Sequence, residues 1–286
     1  MNGIIWLASY PKSGNTWFRV FLTNLLRDAD TPASINELER TPIASARGVF
    51  DNNLGFEAAD LTADEIDRLR PELYIHLAEN AAKPLFMKIH DAYTEAAENM
   101  PLIPQAATAG ALYFIRNPLD VVVSFAHHNG SDYDAAISGM ANENYAFCSK
   151  IDRLHDQLRQ KLLSWSGHVR SWVDKAPFPV CVLRYEDMKA KPLEIFEKAV
   201  QFAGLSHSPE QIQKAIDFSA FDVVQQQEAT EGFQENSPSP SRFFRKGQAG
   251  AWREELSENQ VHRIVQDHRE VMCRFGYLDE NGKIVS

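Results

Sequence analysis

Residues 4–17 read IIWLASYPKSGNTW. The run Ile4-Ile5-Trp6-Leu7-Ala8 is too short for a helix and has the length and composition of a strand buried on both faces. Pro11, Lys12, Ser13 and Gly14 predict a loop. From Asn15 onward Trp17, Phe18, Phe21, Leu22, Leu25 and Leu26 recur at helical spacing. Strand, tight loop and helix in this order form an anion cradle. The N–H groups of the loop and first helical turn converge, the helix N-terminus adds partial positive charge, and Lys12 adds a full one. The pattern GxxxxGK[ST] places its lysine after the second glycine, whereas Lys12 precedes the only glycine here, which weakens an ATP or GTP reading.

Three further apolar runs extend this unit into a repeated strand-plus-site arrangement. Pro84–Ile89 predicts a second strand ending at His90, and Lys88 and His90, two apart, face the same side. Ala111–Ile115 predicts a third, running into Arg116-Asn117-Pro118. Asn117 is a good N-cap and Pro118 a good first helical residue, so a helix begins there and carries Val121, Val122 and Phe125 inward. Arg116 then sits at a strand's C-terminal end, where open α/β sheets bind ligands, and a guanidinium grips phosphate bidentately. Pro179–Leu183 predicts a fourth strand, followed by Arg184-Tyr185-Glu186-Asp187. Glu186 and Asp187 are no acid–base pair, because neighbours at a strand end point apart.

The connections are less regular. Residues 28–60 are polar and rich in turn residues, a long segment suited to lining a cleft. Thr62 and Glu65 predict a capping box, with Pro71 dividing that helix from a second reaching about Asn80. The polar stretch from His127 to Asn144 is expected to form a substrate loop, and its adjacent histidines lack a third ligand at metal spacing. Ile151–Lys175 is expected to be one amphipathic helix presenting Leu154, Leu158, Leu162, Trp165, Val169 and Trp172. Helices are also expected over 192–202 and 209–218. Gly232–Ser241 reads as a mobile loop leading into FFRKGQAGAW, residues 243–252, where Arg245 and Lys246 beside Gly247 would make a phosphate-closing lid. Ser257 with Gln260 caps a last helix to about Phe275.

Composition narrows the partners. The chain has 286 residues and a formal net charge of −10, which disfavours nucleic acid and anionic membranes and requires any anion to be held in a local basic pocket. Its three cysteines, without a CxxC pair, disfavour a disulfide framework or zinc site. The N-terminus lacks a signal-peptide pattern and no apolar run approaches about 18 residues, so a cytoplasmic protein without membrane contact is expected.

YPKSGNTW, residues 10–17, closely resembles the 5′-phosphosulfate loop of sulfotransferases that use 3′-phosphoadenosine 5′-phosphosulfate (PAPS), and ASYPKSGNTW is similar to bacterial members, including those that tailor glycopeptide antibiotics. The other units match in the same order over residues 4–252: Lys88-Ile89-His90 resembles the K-x-H motif, Arg116 with Ser124 the R-x7-S motif, Tyr185-Glu186-Asp187 the tyrosine segment, FDVVQQQE from Phe221 the aromatic segment, and RKGxxG from Arg245 the C-terminal motif. The resemblance implies one sulfotransferase domain over 1–286, a three-layer α/β sandwich with a central parallel sheet related to P-loop kinases.

It also implies roles. Lys12 neutralises the leaving phosphate, His90 is the general base and Lys88 stabilises charge on the transferring group. Ser13, Gly14, Asn15 and Thr16 hold the 5′-phosphate, and Trp17, Tyr185 and Phe221 surround the adenine. Arg116, Ser124, Arg245, Lys246 and Gly247 take the 3′-phosphate. Asn15 stands where many relatives carry threonine, and Ala251 stands where the usual acid precedes the tryptophan. The implied reaction sulfates a hydroxyl of a small-molecule or glycoconjugate acceptor and releases PAP (3′,5′-ADP) without a metal; a homodimer is compatible. Tyr133, Tyr145 and Phe233 are expected to stack on the acceptor. Two rivals stay open. A kinase would need a Mg²⁺-holding carboxylate, with Asp120 and Asp187 the near candidates. A non-catalytic PAP or PAPS sensor would not need His90.

Overall fold

The computed structural model describes residues 3–38, 40–150, 153–235 and 242–285. Its central sheet has four strands, β1 (Ile4–Ser9), β2 (Leu85–Ile89), β3 (Thr108–Ile115) and β4 (Val180–Arg184), in the order β2-β1-β3-β4 and parallel throughout. All four predicted strands form. Every residue of β1 is buried, as its unbroken apolar run requires of a strand covered on both faces.

Alternation along β1 divides the core. Ile4, Trp6 and Ala8 face a cluster with Tyr74, Phe125, Trp165 and Trp172, whereas Ile5 and Leu7 face Phe18, Phe21, Phe196 and Ile212. The first face is covered by α3 (Ala63–Asn80), α4 (Pro118–Asn129), α6 (Trp165–Asp174) and α11 (Glu258–Arg274); the second by α1 (Asn15–Arg27), α7 (Tyr185–Ala190), α8 (Pro192–Phe202) and α9 (Pro209–Phe218). Helices on both faces of a parallel sheet give the predicted three layers. A third cluster, with Val20, Ile35, Val224, Phe233 and Phe244, lies under α10 (Phe221–Glu231).

Several expectations are corrected. Pro71 lies inside one continuous helix, α3, rather than dividing two. It removes one backbone bond, but Ile66, Leu73 and Tyr74 on either side of it are buried together in the core, and that packing holds the helix through the proline. Residues 28–60 include α2 (Arg47–Leu54). The expected loop after His127 is helical: α4 continues to Asn129, and α5 (Tyr133–Ala141) follows an N-cap in which Asp132 accepts from Ala135 N. Of the helix expected over 151–175, Ile151 and Asp152 lie outside the described residues and only Trp165–Asp174 is helical. Ser164 caps that helix, while Gln160–Lys161 pairs antiparallel with Ala146–Phe147. Leu158 and Leu162 are buried from extended chain and Leu154 is exposed, so their helical spacing was coincidental. Of the predicted mobile loop, residues 236–241 lie outside the described residues.

Candidate active site

A cavity of about 340 Å³ opens at the C-terminal ends of the strands. It is lined by Lys12, Gly14, Asn15, Thr16 and Trp17 from the β1 loop, by Lys88 and His90 from β2, by Arg116 and Ser124 after β3, and by Tyr185 after β4. Phe221, Arg245, Lys246 and Gly247 complete it, so of the sequence-predicted site residues the cavity lining lacks only Ser13. Ser13 is buried beside the loop, its Oγ without a hydrogen-bond partner.

The β1 loop turns sharply, with φ of 70° at Lys12 and 99° at Gly14. Gly14 is required there, since an added Cβ would lie 2.7 Å from Tyr185 Cδ2. Lys12 adopts a conformation that L side chains rarely take, the kind of local strain that collects at functional sites. Its Nζ lies 3.8 Å from the centre of the Phe243 ring. Burial, then the charges of Lys88 and Arg116, lower its pKa to about 7. Asn15 departs from its expected role: its Nδ2 donates to Leu7 O at 2.7 Å and Ser9 Oγ at 3.2 Å, so both side-chain donors are spent inside the fold. Only its backbone N–H remains for an anion.

The Arg116 guanidinium carbon lies over the Tyr185 ring, 4.3 Å from its centre, and the group donates to the carbonyls of Lys12 (3.2 Å) and Gln248 (3.1 Å). Trp17 meets Tyr185 edge to face and donates from Nε1 to Ser219 O at 2.9 Å. Lys189 Nζ lies 5.3 Å from the Trp17 ring and 5.9 Å from the Phe221 ring, and Phe221 packs so closely on Gly247 that a Cβ there would overlap it. Aromatic rings with a cation beside them form a slot suited to a flat, anionic ligand.

The RKG segment is fixed at both ends. Glu228 accepts from Phe243 N (2.6 Å) and Phe244 N (2.9 Å). Asp120 accepts from Gly250 N (2.7 Å) and Trp252 N (3.3 Å). The segment expected to form the lid is tied at both ends, and Asp120 supplies an anchor beside Ala251. Asp120 spends both oxygens on these bonds and Asp187 pairs with Arg184 at 3.4 Å, so neither is placed as the kinase reading requires. Arg245 and Lys246 both bond Glu255, at 2.9 and 3.0 Å.

His90 is set differently. Its Nδ1 donates to Ser9 O at 2.8 Å, which assigns the proton to that nitrogen and leaves Nε2 as the basic lone pair. Burial first, and then Lys88, hold its pKa well below the usual histidine range. Its carbonyl accepts from His168 Nε2 at 3.0 Å, and the next residue, Asp91, pairs with buried Arg70 through two bonds of 3.0 and 2.7 Å. Lys88 Nζ bonds Glu235 Oε2 at 3.1 Å, and the same oxygen accepts from Arg19 Nη1 at 2.6 Å.

Arg19, Arg70, Asp91, His168 and Glu235 were missed in the sequence. Glu235 lies 147 positions from Lys88, and no local motif links them. Tyr133, Tyr145 and Phe233 do not line the cavity: Tyr133 donates to Glu255, Tyr145 packs on Phe125 and Phe147, and Phe233 is buried against Phe243 and Phe244. Phe147, Phe243 and Phe244 line it instead. Among the described residues no group of three or more His, Cys, Asp or Glu is arranged to hold a metal, and no helix is long and apolar enough to cross a membrane.

A family model described as Sulfotransferase domain matches residues 3–276. Curated relatives include cytosolic sulfotransferase 17 of Arabidopsis thaliana, 23% identical over 275 residues that cover 90% of this chain and 71% of the relative. Sulfotransferase 1A1 of Canis lupus familiaris is 25% identical over 285 residues, 93% of this chain and 82% of the relative. Among solved structures, mouse sulfotransferase SULT7A1 complexed with PAP aligns with a TM-score of 0.58 at 21% identity, covering 94% of this chain and 84% of that one. Retinol dehydratase in complex with androsterone and inactive cofactor PAP aligns at 0.59 and 19% identity, covering 94% and 80%. These structures share the fold described above.

Proposed function

The chain belongs to the sulfotransferase-domain family, and from that premise we propose that it transfers a sulfuryl group from PAPS to an acceptor hydroxyl, releasing PAP. The observation that carries this reading is the convergence on one cavity of an anion loop at Lys12, an aromatic slot at Trp17, Tyr185 and Phe221, and a second basic cluster at Arg116, Arg245 and Lys246, with Lys88 and His90 beside them. A nucleotide with phosphates at both ends of its ribose requires two separated cationic sites around one base slot. A Mg-ATP site would instead call for a free carboxylate near the phosphates.

His90 Nε2 takes the acceptor hydroxyl proton as the acceptor oxygen bonds to sulfur and the bond from sulfur to the phosphate oxygen breaks. Lys12 and the loop N–H groups neutralise the charge that the departing phosphate acquires, and Lys88 faces the charge on the sulfuryl oxygens. Neutral His90 suits this role, since a protonated ring has no lone pair to offer. Arg116 and Ser124 on one side, and Arg245 through Gly247 on the other, hold the 3′-phosphate. The whole of residues 1–286 is read as one domain serving this reaction.

Calorimetric titration with PAP, beside ATP with and without Mg²⁺, tests the reading. Tight PAP binding that ignores Mg²⁺, with weak ATP binding, is expected. Preference for Mg-ATP would replace this reading with phosphoryl transfer.

A further inference from the structure

Among the described residues six lysines and arginines line the cavity, and they differ in what already meets their charge. Lys88 is paired with Glu235, and Arg245 and Lys246 with Glu255. Lys12, Arg116 and Lys189 have no carboxylate partner among those residues and lie instead over the rings of Phe243, Tyr185 and Trp17. The two phosphates of the proposed donor account for Lys12 and Arg116. They leave Lys189 without a role.

Lys189 lies on α7 one turn after Tyr185, and both residues line the cavity. Its Nζ is 5.3 Å from the centre of the Trp17 ring and 5.9 Å from that of Phe221. These rings are two walls of the proposed base slot, and each is fixed. Trp17 Nε1 donates to Ser219 O at 2.9 Å, and Phe221 is packed on Gly247. The Trp17 N–H is therefore spent, and Arg116 donates to two carbonyls. Lys189 is exposed at the edge of the slot, and no hydrogen bond to another described residue holds its ammonium. A flexible four-carbon stem lets that group follow a ring stacked beside it. An ammonium carries three donors and no acceptor, so it meets a base at a ring nitrogen and not at an exocyclic amine. Adenine offers such nitrogens on its edge.

We propose that Lys189 is a further donor-binding residue, which donates a hydrogen bond to a ring nitrogen of the adenine lying between Trp17 and Phe221 and so selects a base with an accepting edge. This rests on the PAPS reading given above and assigns how that same site recognises the base.

The test is calorimetric titration of the wild-type protein, Lys189→Met and Lys189→Arg with two ligands at one ionic strength: PAP, and the base-free methyl riboside 3,5-bisphosphate. Lys189→Met keeps the length of the stem and removes the donors. It is expected to weaken PAP roughly 5- to 20-fold, the lower end for a charge-assisted bond at an exposed site, and to leave the base-free ligand within about 2-fold. Lys189→Arg, which keeps a donor, is expected to hold PAP within a few-fold. Equal loss of both ligands in Lys189→Met would put the lysine on a phosphate and overturn the proposal, as would unchanged PAP affinity. Deaza analogues of PAP, each lacking one ring nitrogen, decide the question in the wild-type protein even where the variant fails to fold. One of them is expected to bind as weakly as PAP binds to Lys189→Met, and full affinity for all of them overturns the proposal. Failure of the wild-type protein to bind PAP at all would sink the donor reading itself, a result distinct from these.

Discussion

On the side of the cavity bounded by β1, β3 and β4, the lining residues Lys12, Arg116 and Tyr185 each lie within a few positions of the end of a strand. Beyond β2 the lining is assembled from Phe147 and Cys148, Gln157 and Gln160, and Glu235, drawn from separate segments and joined by bonds such as Lys88 to Glu235. The first side is set by the sheet, whose strand ends must point at one another; the second is set by tertiary packing around an edge. The difference teaches where specificity can vary without disturbing the donor site: strand ends are costly to move, and segments covering an edge are not.

The sharpest break in the comparison comes at the junction. His90→Ala is expected to lower kcat by about 10²–10⁴, the usual scale for a general base, with PAP affinity within a few-fold. Near-normal turnover would move the base elsewhere, with His128, also lining the cavity, the next to test. Arg70→Ala should cost about 3–5 kcal/mol of stability, because it strands the buried Asp91 carboxylate that anchors the β2 end. Urea unfolding would read that loss. Arg245→Ala probes the opposite side. It should weaken PAP by about 1.5–3 kcal/mol, the scale of a charge-assisted contact, and leave adenosine 5′-phosphosulfate nearly unaffected; equal loss for both nucleotides would remove Arg245 from the 3′-phosphate.

A smaller effect concerns pH. Lys12 acts as a cation, but burial and the neighbouring charges of Lys88 and Arg116 lower its pKa to about 7. Donor binding should therefore be strong below pH 7 and weaken as pH rises above it, with proton uptake on binding. His90, whose pKa is depressed, stays neutral and competent as pH falls through 6.5, so the acid limb of kcat/KM should lie below that value. Titrations in buffers of differing ionisation enthalpy would detect the uptake, and an acid limb above pH 6.5 would contradict the histidine assignment. The smallest expected change is in nucleotide affinity for Asn15→Ala. Stability should fall by about 1–3 kcal/mol through the lost bonds to Leu7 and Ser9, while PAP binding holds; a large loss of PAP affinity would return the side chain to the phosphate.

The sequence was most readable where a local rule governs. The β1 run, the Asn117-Pro118 helix start and the Thr62 capping box each involve neighbours along the chain, and each forms as expected. It misled where periodicity stood in for contact: the spacing of Leu154, Leu158 and Leu162 fits a helix, but the hairpin pairing of Gln160–Lys161 takes that segment. It was silent on Arg19, Arg70 and Glu235, whose roles depend on partners far along the chain. Residue type misled on the Asn15 side chain alone, because an amide in such a loop can donate inward as readily as outward.

The strap from Phe243 to Trp252 has a consequence for the entropy of binding. Glu228 holds one end and Asp120 the other, each through two backbone amides, so the residues proposed to meet the 3′-phosphate are ordered when the protein folds. A loop that froze on contact would surrender roughly 1–2 kcal/mol of freedom per residue at that moment. Here that loss belongs to folding, and the nucleotide keeps the full strength of the contacts it makes.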